Sequence, residues 1–363
     1  MKELIRAHRS VLERMNTPGE GGKLRQLDSP VMAPLLTEGW KLAGEWAGAW
    51  LDLHPDPSPK DLDKLFVDFT PSPLNPEIYS PHLPDLYAME GSATRIATDV
   101  YVVSAAYEEN QSANATSTFF VVTRHANGQF QAKWSIKPLA ERHYHSKDEI
   151  GLWAFMGECA YYCGPLVVQE VVPLPPSGNG QPRFAIDAVQ ATNGSTLMKQ
   201  LSVWRWDGAG AENILIRSYK LYIDDGRGIE LVENLLTVPT KESTNSFSSF
   251  GCCAEPRGMW TLRITPDKVQ DLGHRFLQPQ IQWADRLLAA IGPNSSAAAA
   301  LAAPSVIVYL RHAEIGEDDI DTCRVISSGK KGSFVISFGS GTKLRLVYYL
   351  RNGQPYFTDV RVE

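Results

Sequence analysis

The chain has 363 residues, 43% of them apolar and 10% aromatic, which is enough to bury two or three ordinary cores and excludes global disorder. Its formal net charge is -6, with Lys and Arg spread along the chain, so no basic stripe stands out and the sequence argues against nucleic acid as a partner. The most apolar long window, Val31 to Trp50, carries Glu38, Lys41 and Glu45, each costly at a bilayer centre, so no membrane span is expected.

The opening residues place Leu4, Ile5, Ala7, Val11, Leu12 and Met15 on one stripe, the pattern of an amphipathic helix and not of a secretory signal. A second helix is expected from Ser29-Pro30, and on it Trp46 and Trp50 share a face with Leu42 and Ala43. Gly44 and Gly48 would let another backbone come close. A third helix is expected from Pro59 to Phe69, after the cap residue Ser58. Five prolines within Thr70 to Pro84 then make an extended connector and a candidate boundary.

From Ile96 the period changes to that of strands: Ala97 to Tyr107, Ser117 to His125 and Phe130 to Ile136, the last two joined at Asn127-Gly128. Ser146 to Tyr162 reads as a helix. The stretch from Asn179 to Gly226 reads as a β meander punctuated by Asn179-Gly180, Asn193-Gly194 and Asp207-Gly208, which tolerate the positive φ that tight hairpins need. Within it Trp204 and Trp206 fall on one face of a strand, because side chains repeat every second residue.

Ile229 to Val238 adds a strand, and Thr265-Pro-Asp is expected to cap a helix through Val269, Leu272, Phe276, Ile281, Leu287, Leu288 and Ile291, interrupted or kinked at Pro279. Ala297 to Ala303 is either a spacer or plain helix. Five short strands follow, at Val306 to Arg311, Cys323 to Ser327, Ser333 to Phe338, Lys343 to Leu350 and Tyr356 to Val362. The expected class is α+β: N-terminal helices over a large, mostly antiparallel sheet, plus a smaller C-terminal helix-and-meander domain. The expected boundaries are 1–84, 85–264 and 265–363.

Asn179-Gly-Gln-Pro and Asn352-Gly-Gln-Pro repeat one turn chemistry, with Asn127-Gly-Gln a shorter version. Convergence on a favoured hairpin turn explains this better than duplication. The closing segment KLRLVYYLRNGQPYFTDVRVE resembles the final hairpin of NTF2-like (cystatin-like α+β) domains, over residues 330–363. Such domains host enzymes as well as ligand-binding and assembly modules, so the resemblance implies a fold and leaves the activity open.

Chemistry is sparse. His143 and His145, two apart, can reach one metal ion from the same side of a strand, although the capped-helix pattern Ser146-Lys-Asp-Glu149 favours exposed loop histidines. Cys159, Cys163, Cys252, Cys253 and Cys323 are odd in number, with spacing looser than usual zinc sites. Trp204 and Trp206, with Tyr219 and Tyr222 on the next strand, make either a stacking surface for a glycan or other apolar ligand, or core packing against the Trp46 and Trp50 helix; core is the stronger expectation. No cofactor motif is present. The functional expectation is a binding or structural module with an unidentified ligand, glycan or protein partner, tilted by composition toward an exported, bacterial-type protein whose signal has been removed, with a cytoplasmic protein as the alternative. The alternative is an enzyme with a pocket in the NTF2-like end, metal-assisted through His143 and His145.

Overall fold

A computed structural model describes residues 1–19, 27, 29–69, 87–109, 115–133, 136–137, 167–193, 196–222, 227–241, 257–291, 295–313, 320–338 and 340–363. The class is α+β, and the described residues form four sheets whose strands pair almost entirely antiparallel. Helices α1 (Lys2–Met15), α2 (Ala33–Leu53) and the short α3 (Pro59–Leu62) come first. Strands β1 (Tyr87–Ala97), β2 (Val100–Glu109), β3 (Ala115–Arg124) and β4 (Phe130–Lys133) follow as a meander, the first sheet.

The second sheet has the order β5-β9-β8-β7-β6, built from β5 (Ile136–Lys137), β6 (Val167–Leu174), β7 (Arg183–Asn193), β8 (Thr196–Trp206) and β9 (Ala211–Tyr222). Its β5 and β9 form a parallel pair. The third sheet is the meander β10 (Glu230–Val232), β11 (Leu235–Lys241), β12 (Arg257–Ile264) and β13 (Val269–Phe276). Helices α4 (Pro279–Ile291), α5 (Ser295–Leu301) and α6 (Pro304–His312) precede the fourth sheet, β14 (Ile320–Ser327), β15 (Lys331–Phe338), β16 (Lys343–Arg351) and β17 (Gln354–Val362).

Four apolar clusters hold these elements. Val11, Met15, Trp40 and Trp46 from α1 and α2 pack on Tyr101, Val103, Phe120 and Val122 of the first sheet. The opposite face of that sheet offers Val102, Phe119 and Val121 to Phe184, Ile186, Trp204 and Trp206 of the second. The second sheet's other face, with Ala185, Leu201 and Val203, meets Leu236, Val238, Trp260 and Leu262 of the third. Ile281, Leu287, Val306 and Leu310 of the late helices cover Phe334, Ile336, Leu344 and Leu346 of the fourth. Each sheet has alternating inward and outward residues, which is why one strand can serve two clusters.

Local expectations are met where the signal is local. The Asn352-Gly353 hairpin has both residues at positive φ, 52° and 76°, as a two-residue primed turn requires. Other segments differ from expectation. The described strands of residues 85–264 fall in three separate sheets, not one large one; the third runs on into β13 beyond the expected boundary at 264, and β4 and β5 split the expected 130–136 strand between the first two. The expected strand at 229–238 is a hairpin, because Glu233 takes φ 56° and Val232 pairs with Leu235. The expected helix from 265 begins instead with a turn, Thr265 Oγ1 accepting from the Lys268 amide at 3.2 Å, and continues as strand β13. The break expected at Pro279 is there, but it separates strand β13 from α4, which Pro279 opens, and not two parts of one helix. Val306 to Arg311, expected as a strand, is helix α6, with Pro304 in its first turn and Val306, Ile307 and Leu310 buried.

His8 sits in the first cluster. It is fully buried, stacked on Phe69 with centroids 4.1 Å apart, and its Nε2 is 3.0 Å from the Tyr107 hydroxyl. Burial lowers its pKa to about 4; the nearby Phe69 backbone opposes this, although His8 Nδ1 makes no hydrogen bond of good geometry. Between pH 6.5 and 4 the unfolded chain therefore takes up a proton that the folded chain refuses, so stability falls as pH falls through that window. The loss from this group reaches about 3 kcal/mol below pH 4. Urea midpoints measured at pH 7, 5 and 4 should show this decline, and His8→Phe should flatten it; an equally steep decline in the variant would assign the effect to other groups.

Candidate functional site

Two places combine polar chemistry with defined geometry. The first lies in the second sheet, where Asp187 of β7 and Lys199 of β8 are diagonal neighbours and Tyr219 of β9 is directly opposite Lys199. All three point toward the third sheet. Asp187 is 2% exposed and Lys199 9%. The Lys199 ammonium pairs with Asp187 Oδ2, while the Tyr219 hydroxyl donates to Asp187 Oδ1 at 2.6 Å. Lys199 also lies 5.9 Å from the Tyr219 ring centroid, within reach of a cation–π contact.

Burial first, then the Asp187 charge and the hydrogen bond to it, raise the Tyr219 pKa, so the phenol stays protonated as a donor. Glu170 of β6 pairs with Asp187 across the sheet and marks the surface end of the cluster. Its residue is exposed, yet its carboxyl turns in toward the third sheet, where a Cβ on Gly228 would lie 3.6 Å from Oε2. Desolvation there, followed by the Asp187 charge, raises its pKa; a hydrogen bond from the Ile229 backbone opposes the shift. Chemically the cluster is closed, since both oxygens of Asp187 are engaged. It ties three strands together at the seam with the third sheet.

The second place is a groove of about 390 Å³ between α2 and β4, lined by Lys41, Glu45, Ala49, Asp52, Gln129 and Gln131 among others. Asp52 Oδ1 accepts from the Phe130 amide at 2.9 Å, and Gly48 lets α2 press on the strand, since a Cβ there would lie 2.6 Å from the Phe130 carbonyl oxygen. Both polar groups of the Phe130 peptide thus turn outward to α2. By the two-residue alternation of an antiparallel edge, those of Ala132 turn outward as well, into the groove.

Trp204 and Trp206 are buried on one face, 0% and 3% exposed, as expected. Their cover is Phe119 of the first sheet, at 5.0 Å and 64° from Trp204, and not the Trp46 and Trp50 helix, which packs in a different cluster. Tyr219 lies on the other face, among the cluster shared with the third sheet, so it does not extend a surface made by the two tryptophans. Tyr222 ends β9, and its side chain lies outside the described residues. His143, His145, Cys159, Cys163, Cys252 and Cys253 lie outside them too. Cys323 is a free thiol turned to the fourth sheet's core, raised to about 12 by burial.

Sequence reasoning passed over Asp187 and Lys199. The available signal was a charged residue at an inward position of an alternating strand, which demands a partner but does not name it. Among the described residues no group of three or more His, Cys, Asp or Glu could hold a metal ion, and no helix is long and apolar enough to cross a membrane. No known family model matches the chain, and no curated protein is similar to it.

Proposed function

We propose that the chain is a binding or structural module whose ligand sits in the groove between α2 and β4. The observation that carries this reading is the lining: Lys41 and Glu45 one helical turn apart, two glutamines, and an outward peptide edge, in an open space of about 390 Å³. Such a surface offers both charge signs and paired amide donors and acceptors, suited to a small polar ligand with amide or zwitterionic groups. The closed Asp187 cluster supports the same reading, because its groups are spent on holding strands. At the C-terminal end, three helices ahead of a four-stranded meander support the NTF2-like reading of a separate unit, which begins at α4 (Pro279) and not at residue 265, because β13 pairs with β12 in the third sheet.

Ala49 lines the groove, so Ala49→Trp should fill it. A screen of amide and amino-acid fragments by ligand-observed NMR should give hits that this variant loses, while its melting temperature stays within about 4 °C of wild type, a shift of about 1–2 kcal/mol for a chain this size. Hits that persist in the variant would move the site elsewhere. Stoichiometric zinc or iron in the purified protein, lost in a His143→Ala, His145→Ala double variant, would replace this reading with the metal-assisted one.

A further inference from the structure

The fourth sheet buries one face under α4, α5 and α6, and its other face has a different character. Because Phe334, Ile336, Leu344, Leu346 and Tyr348 point into the core, their strand neighbours point away. Arg324, Val335, Arg345 and Arg361 therefore fall side by side in one row across all four strands. Further along the same face Tyr349 stands opposite Tyr356, with ring centroids 5.4 Å apart at 48°, and Lys331 stands opposite Tyr349. Both tyrosines are half-buried. Arg351 follows two residues after Tyr349, on the same side of β16.

The charge of this face is local. Residues 320–363 hold seven Lys or Arg against three Asp or Glu, in a chain whose formal net charge is -6. Two of the acids lie on the face itself: Glu363 pairs with Arg345 and is 4.0 Å from Arg324, and Asp359 accepts from Arg361 at 2.7 Å. Arg324 and Arg361 still have side chains 74% and 71% exposed. Lys331, Lys343 and Arg351 are exposed as well. A second copy of the same face would be repelled by like charge. An anionic lipid surface would satisfy the cations and leave the paired rings without a planar partner.

We propose that this open face binds single-stranded nucleic acid, with Tyr349 and Tyr356 stacking bases while Arg324, Lys331 and Arg351 neutralise phosphates. Bases offer planar π faces whatever their identity, and the phosphate backbone supplies the complementary charge, so an aromatic pair framed by cations on a flat sheet meets both needs without sequence readout. Overall acidity does not oppose this, because exposed charges more than about 10 Å away are largely screened at ordinary salt.

The test is fluorescence anisotropy with a labelled oligo(dT) of about twelve nucleotides, within the site sizes known for such platforms. Binding should weaken steeply between about 50 and 200 mM salt, and Lys331→Glu with Arg351→Glu should lower affinity and flatten that dependence. Tyr349→Ala with Tyr356→Ala should weaken binding about tenfold or more, whereas the corresponding pair of phenylalanine substitutions should hold it within about twofold, since the rings remain. Circular dichroism checks that each variant is folded; if the alanine pair is not, the phenylalanine and charge-reversal variants still carry the test. No binding at the lowest salt, or equal losses in the phenylalanine and alanine pairs, overturns the proposal. So does equal affinity for duplex DNA or for phosphatidylserine vesicles, since either would make the face a charge-only surface.

Discussion

Trp204→Ala lowers the stability of the protein by about 3–5 kcal/mol, the range for deleting a large buried aromatic side chain. The ring is 0% exposed, between the first and second sheets, edge-on to Phe119 at 5.0 Å. Its Nε1 donates to Ser202 Oγ at 2.8 Å, so truncation removes apolar burial, leaves a cavity between two sheets that cannot both collapse into it, and costs the hydroxyl a partner. Because the contact joins two sheets, the whole seam should weaken. A urea titration should show a midpoint far below wild type with an unchanged slope. A midpoint that does not move would mean the two sheets do not close over the ring.

How much of this was legible depends on how far apart the partners are. The Asn352-Gly353 turn, most of the stripe of α1 and the shared face of Trp204 and Trp206 are set by residues within a few positions of one another, and so are legible in the sequence. What covers the tryptophans was not, because Phe119 comes from a strand 85 positions earlier and no local pattern selects it over Trp46 or Trp50. Val306-Ile-Val-Tyr-Leu looked like a strand by composition. Burial of Val306, Ile307 and Leu310 against the fourth sheet, with Pro304 ahead of them, outweighs the small β preference of the branched residues. The reverse happened at Val269 to Phe276, where apolar residues three and four apart imitate a helix stripe. In the structure Leu272 is 42% exposed, and pairing with β12 plus the bulge at Gly273, φ 83°, decides for the strand.

The polar sites were less legible still. A hydrogen bond such as Tyr219 to Asp187, 32 residues apart, depends on the register of three strands, and register errors of one residue send a side chain to the other face. His8 was hidden for a related reason: it sits on the apolar stripe of α1, where a neutral imidazole behaves as a flat apolar ring with one polar edge. The three arginines in the row across the fourth sheet come from three strands, β14, β16 and β17, and share a row only once the strands pair.

Lys199→Met alone should destabilise the protein by about 3–5 kcal/mol, as breaking one side of a buried ion pair does, because Asp187 is left charged in a site where only Tyr219 still donates to it. Asp187→Leu alone should cost a similar amount, stranding the ammonium and the phenol together. Combined, the two changes should cost far less than their sum, since no buried charge remains and the apolar neighbours Leu201 and Val203 accept the new side chains. The difference is a coupling energy, measurable from four urea titrations. Tyr219→Phe should fall below either single change, at about 1.5–3 kcal/mol, since it removes one hydrogen bond to a charged group and leaves the ion pair intact. High salt should barely alter these values, because the pair is buried beyond the reach of screening. If instead both single changes cost less than about 1 kcal/mol and simply add, water reaches Asp187, and the cluster is an open polar site and not a closed tie between strands.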